Sequence, residues 1–97
     1  MKFRFRPAAL EEYEESTLYY ATISPLVDRR FVSEIEAAIH RMRQHPKAWT
    51  IIEDDTRRCL VKRFPFGIYF CLEADHILIV AVMHLSRMPG YWNDRIS

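Results

Sequence analysis

Basic and aromatic residues alternate through residues 2–6, placing Phe3 and Phe5 on one side and Lys2, Arg4 and Arg6 on the other. That period of two predicts a half-buried strand. After Pro7 the period lengthens. Leu10, Tyr13, Thr17 and Tyr20 or Ala21 recur every three to four residues, while Glu11, Glu12, Glu14 and Glu15 point elsewhere, which predicts a helix with acids in its early turns, where the macrodipole favours them. Ser24-Pro25 restarts the helical pattern, because serine caps free amides and proline suits a first helical position. A second stripe of Phe31, Ile35, Ala38 or Ile39, and Met42 runs toward Arg41, Arg43 and His45, and Pro46 stops it. The short connection predicts an antiparallel helical hairpin.

Beyond Pro46 the pattern turns extended. Residues 49–52 form a short apolar run, Asp54-Asp55 marks a turn, and residues 58–64 and 68–72 read as strands separated by a break at Pro65-Phe66-Gly67. Ala74-Asp75 then turns the chain into residues 76–85, whose continuous apolar run suits a central strand covered on both faces. The order predicts an α+β fold: an N-terminal strand and a helical hairpin packed on a three- to four-stranded, mainly antiparallel sheet. Residues 86–97 show no regular period.

The chain has 97 residues, 49% hydrophobic and 28% charged, which is enough for one compact domain spanning 1–97 and leaves no room for a second core. The longest strongly apolar stretch, residues 77–83, is far short of the roughly 20 residues of a membrane helix. No secretory signal is visible at the start. We therefore expect a cytoplasmic protein with no membrane partner, in which Cys59 and Cys71 are reduced thiols.

The net charge of +1 conceals an asymmetry: residues 1–56 carry 8 Lys/Arg against 10 Asp/Glu, and residues 57–97 carry 6 against 3. Any phosphate-directed role must rest on a local cluster rather than on the overall field. Arg57, Arg58, Lys62 and Arg63 supply one, with Arg87 and Arg95 following the last strand. On a strand, Arg58 and Lys62 would share one face and Arg63 the other. If the tail folds back over the sheet, Arg58, Lys62, His84, Arg87 and Tyr91 line one concave surface. There the cations could hold phosphates, and Tyr91 or Trp92 could stack on a base. The plainer reading of the same residues is a solvated basic sheet face with Tyr91 and Trp92 as packing residues. His84, at a strand end, fits either a general acid near neutral pH or a structural histidine. Glu53, Asp54 and Asp55 are weaker candidates for a base.

Other chemistries find little footing. His40 and His45, and His76 and His84, are not at metal-ligand spacing with carboxylates or thiolates, so no metal is expected. Two glycines, Gly67 and Gly90, exclude glycine-rich phosphate or dinucleotide loops, and no cofactor is implied.

Two phrases, RRCLVKRFPFGIYF at 57–70 and AVMHLSRMPGYWNDR at 81–95, together with the ALEEYEES-type first helix and the helix ending near His45-Pro46, resemble the RelE/ParE superfamily of bacterial type II toxin–antitoxin toxins. The resemblance covers nearly the whole chain. It implies a small α+β fold, a bacterial cytoplasmic setting, a cognate antitoxin partner with which the toxin forms a hetero-oligomer, and one of two targets. ParE-like members bind DNA gyrase and need no catalytic residues; RelE-like members cleave mRNA on the ribosome without a metal. In the ribonuclease branch an arginine often precedes the "LVY"-like strand and helps hold the scissile phosphate. Gly67 stands at that position here. The resemblance leaves the target open; the departure at Gly67 makes gyrase binding the main expectation, with Arg58, Lys62, Arg63 and Arg95 of the basic cluster as phosphate- or target-binding residues. The alternative is a ribosome-dependent endoribonuclease using His84, Arg87 and Tyr91.

Overall fold

A computed structural model describes residues 1–86. The expectations placed on Arg87, Tyr91, Trp92 and Arg95 lie outside the described residues. The elements are β1 (Lys2–Phe5), α1 (Pro7–Ile23), α2 (Pro25–Gln44), a 3-10 turn (Pro46–Ala48), β2 (Ile51–Glu53), β3 (Thr56–Leu60), β4 (Phe66–Leu72) and β5 (His76–His84). The strands form one five-stranded sheet in the order β1-β5-β4-β3-β2. β1 pairs parallel to β5, and every other pairing is antiparallel. The N-terminal strand thus joins the four later ones, and the helical hairpin packs on one face.

Local chemistry explains the boundaries. Arg6 is extended, at φ −62° and ψ 145°, the conformation forced on a residue before proline, so β1 ends where Pro7 opens α1. The connection between the helices is a single residue, Ser24. Its backbone N–H donates to the Tyr20 carbonyl and its side-chain oxygen accepts from the Leu26 N–H at 3.1 Å. One serine therefore ends α1 and caps α2. Asp28 in the first turn of α2, and Arg41 and Arg43 in its last, complement the dipole. α1 departs from expectation because its first turn holds no acid. Its glutamates begin one turn later, at Glu11, too far in to act on the helix terminus.

The α2 stripe is the core predicted for it: Phe31, Ile35, Ala38, Ile39 and Met42 are all buried. The α1 stripe keeps Tyr13 and Tyr20 but starts one residue earlier than expected. Ala9 is fully buried and Leu10 is exposed, with Tyr13 and Tyr20 packing from the flank. Phe31 sits at the centre of an aromatic group, its ring 4.8 Å from Tyr20, 5.0 Å from Phe66 and 5.2 Å from Phe64. Tyr13 bridges this group to Phe5 on β1.

In β5, Ile77 to Met83 are buried without interruption. Ile77, Ile79 and Val82 join the helix-side core, whereas Leu78, Val80, Ala81 and Met83 pack with Tyr69 on the opposite face. The register shift in the β4–β5 ladder, between Tyr69 and Phe70, places Val80 and Ala81 in sequence on that second face, as expected where a bulge adds a residue to one strand.

The segment after β3 corrects the sequence reading. Residues 58–64 do not form one strand: β3 stops at Leu60, and β4 already starts at Phe66. Arg63 has φ 68°, a left-handed conformation incompatible with a strand, and Pro65 has no N–H for a ladder. The Val61 N–H donates to the Phe66 carbonyl at 2.9 Å and the Phe66 N–H to the Phe64 carbonyl at 2.8 Å, closing a tight connection. Asp54, at φ 48°, makes the predicted turn between β2 and β3.

Candidate functional site

A cleft of about 410 Å³ lies between α1 and the C-terminal half of β5. Residues Glu12, Glu15, Ser16, Tyr19 and Ile23 supply the helical wall, and Phe66, Val82, Met83 and His84 the sheet wall. The helical residues recur at three- and four-residue steps, so they fall on one stripe of α1. Antiparallel pairing sets Phe66 directly opposite His84, and the two rings meet edge to face at 5.4 Å.

His84 stands at the end of this cleft. Its Nδ1 lies 3.1 Å from the donating N–H of Ser86 and 2.8 Å from the Ser86 hydroxyl. Accepting the backbone N–H requires an unprotonated Nδ1, so a neutral ring carries its proton on Nε2. Glu12 reaches from α1 to the sheet, where its Oε1 accepts the Val82 N–H at 3.1 Å. Burial, and then the neighbouring Tyr19, push the Tyr20 phenol above its ordinary value of 10.0, keeping it neutral.

Among the described residues, the basic cluster at 57–63 does not join His84. Arg58 pairs with Tyr69 across the β3–β4 ladder, and Tyr69 belongs to the face away from the helices, whereas His84 shares the helix-side cleft with α1. Their side chains therefore emerge on opposite faces, so Arg58 and His84 do not converge; Arg87 and Tyr91, the other members of that surface, lie outside the described residues. Lys62 is exposed on the β3–β4 connection rather than beside Arg58 on a strand. Arg63 turns toward α2, with Nη1 3.3 Å from Glu34 Oε2. Arg57 has a structural role: its Nη1 donates to the carbonyls of Lys47 at 3.1 Å and Trp49 at 2.8 Å, tying down the segment before β2. Glu53, Asp54 and Asp55 sit at the β2–β3 end of the sheet, the edge remote from β5.

Gly67 is buried and lies beneath an aromatic ring. A Cβ placed there would sit 3.0 Å from Tyr69 Cε1 and 3.2 Å from its hydroxyl oxygen. The space a side chain at 67 would leave by is already occupied by Tyr69. Among the described residues, no group of three or more His, Cys, Asp or Glu side chains could hold a metal ion, and no helix is long and apolar enough to cross a membrane.

Sequence reasoning missed the acidic, aromatic wall of the cleft. The signal was present as the stripe Glu12, Glu15 or Ser16, Tyr19 and Ile23, on a helix that carries four glutamates and no Lys or Arg. That those glutamates point away from the apolar stripe does not say what they line.

Residues 3–89 match the family described as the ParE toxin of the type II toxin–antitoxin system, parDE. Among solved structures, the fold is shared with a chain of the chromosomal ParDE TA system from P. aeruginosa. The two are 17% identical, the match covers 87% of this chain and 95% of that one, and the TM-score is 0.76. No curated protein sequence matches the chain.

Proposed function

Since the chain belongs to the ParE toxin family of type II toxin–antitoxin systems, we propose that it arrests growth by stoichiometric binding to DNA gyrase and is held inactive by a cognate antitoxin. The observation that carries this reading is the pair Gly67–Tyr69. A ribonuclease of the wider superfamily would be expected to place a phosphate-holding arginine at residue 67. Here the position has no side chain, and the Tyr69 ring fills the space where one would start. The separation of Arg58 and His84 onto opposite sheet faces supports the same conclusion, because phosphate transfer needs its cation and its acid on one phosphate. A binding toxin has no such requirement. Its target surface is drawn from Arg58, Lys62, Arg63 and, outside the described residues, Arg95.

One observation favours the ribosome-dependent ribonuclease as second reading. His84 is exposed at the end of a cleft, and a neutral ring directs an Nε2 proton away from Ser86. In that reading His84, with Arg87 and Tyr91, does the chemistry.

Induced expression with thymidine and methionine incorporation followed in parallel separates the two. Under the gyrase reading thymidine incorporation falls first, the purified chain inhibits supercoiling by gyrase, and His84→Ala remains toxic. An early fall in methionine incorporation that His84→Ala abolishes would replace it with the ribonuclease reading.

A further inference from the structure

Among the described residues, no strand covers the backbone edge of the half of β5 that lines the cleft. β1 pairs with β5 only from His76 to Ile79, and the Arg6 N–H closes that ladder on the Ile79 carbonyl at 2.9 Å. The chain then turns into α1, so no described strand continues along residues 82–84 on this side. The Val82 N–H points to this edge because Glu12 Oε1 receives it. Residues two apart in a strand direct their backbone groups the same way, so the Val82 carbonyl and the His84 backbone groups face the cleft too. A carboxylate oxygen thus occupies the place where a neighbouring strand would put a carbonyl.

The side chains around this edge have one charge character. Among the described residues, Glu12 and Glu15 line the cleft and no Lys or Arg does, while Tyr19, Tyr20 and Phe66 present aromatic rings. α1 as a whole has four glutamates without a basic residue. Tyr19 and Ile23 on the cleft wall are 62% and 57% exposed, and Leu18 and Leu26 beside them are 68% and 49% exposed. All four lie at the C-terminal end of α1 or the start of α2, and large apolar side chains this exposed suit a surface that a partner covers. An open strand edge takes an extended backbone. Carboxylates beside aromatic rings take a guanidinium, through charge-assisted hydrogen bonds and cation–π attraction.

We propose that the α1–β5 cleft docks an extended, arginine-bearing segment of the antitoxin, with its backbone on the Val82–His84 edge and its guanidinium on Glu15 against Tyr19. The proposal rests on the toxin–antitoxin reading above and deepens it by assigning the partner a site and a chemistry. Glu12 is the edge's internal stand-in: the incoming strand's carbonyl takes over the Val82 N–H and Glu12 swings aside toward the arriving cation. Ile23, with Leu18 and Leu26, covers the apolar residues flanking that arginine.

The test uses the full chain with the product of its neighbouring gene. Hydrogen exchange should show the His84 amide, and the Val82 amide where the strand carbonyl replaces Glu12, gaining protection in the complex, while the Met83 amide, which faces β4, changes little. Glu15→Gln and Tyr19→Ser, both on the exposed wall and remote from the core, should each weaken the complex by roughly tenfold. An arginine-to-glutamine scan of the antitoxin should reveal one arginine whose loss is non-additive with Glu15→Gln. A complex of unchanged affinity in both toxin variants, or protection confined to β1 or to the sheet face bearing Arg58, overturns the site and leaves the toxin–antitoxin reading intact. Protection of Val82 and His84 by gyrase and not by the antitoxin overturns the choice of occupant. Absence of any complex removes the occupant and the toxin–antitoxin reading together.

Discussion

The Glu12 carboxylate accepts the Val82 N–H at 3.1 Å across 70 residues of sequence, joining the second turn of α1 to the strand edge on which the candidate site is built. An amide on a sheet edge that faces a helix rather than water costs free energy unless it is bonded. Glu12 supplies the bond that no neighbouring strand provides.

Removing that acceptor should be felt locally before it is felt globally. Glu12→Ala is expected to destabilise the fold by about 1–2 kcal/mol and to speed exchange of the Val82 amide more than that of Ile77. Glu12→Gln keeps an oxygen in place and should cost less than half as much. Urea unfolding with amide exchange resolved by residue checks both.

Gly67 lacks a side chain because Tyr69 lies over it. Gly67→Ala places a methyl 3.0 Å from the Tyr69 ring, and Tyr69 is itself buried, so the ring must move within a packed face. The expected loss is about 1–3 kcal/mol. Shrinking the neighbour to leucine in the double variant Gly67→Ala/Tyr69→Leu should recover part of it, a non-additivity that thermal or denaturant melts of the four proteins would reveal.

Arg63 combines a left-handed backbone, φ 68°, with an exposed ion pair to Glu34. The backbone term should exceed the pair, since surface pairs contribute about 0–1 kcal/mol and a non-glycine residue in this region costs about 1 kcal/mol or more. Arg63→Gly is therefore expected to match or exceed the parent in stability, whereas Arg63→Ala loses the pair and keeps the strain. Midpoints of denaturant unfolding in the three proteins give the order directly.

Burial pushes the Cys59 thiol above its ordinary value of 9.0, against the lowering effect of nearby Arg41. The folded state therefore retains a proton that the unfolded chain releases. The stabilisation is complete below pH 9.0 and is lost as pH rises from there through the raised folded value. Cys71, also raised by burial, acts in the same direction. Stability measured between pH 8 and 10 should fall, and Cys59→Ala, though less stable throughout, should fall less steeply. An unchanged slope in the variant would remove Cys59 as its source.

Much of this architecture is local in origin and so is written in the chain. Ser24-Pro25 stops and restarts a helix wherever it occurs, because the cap and the proline act on neighbouring amides. The Phe31, Ile35, Ala38, Ile39 and Met42 stripe and the apolar run of β5 declare their burial through their period alone. The two phrases at 57–70 and 81–95 pointed to the family for the same reason, since both are contiguous. Tertiary structure decided what depends on residues distant in sequence. The left-handed turn at Arg63 ended β3 early and moved Lys62 and Arg63 onto a connection. Strand pairing put Arg58 beside Tyr69 on one face, while the cleft claimed His84 on the other. A basic cluster in sequence carries no information about which side of a sheet each charge will occupy. Nor does a run of glutamates on a helix say that one of them will take the place of a missing strand. That follows only once β1 has ended at Phe5 and left the Val82 N–H of β5 to be satisfied from across the fold.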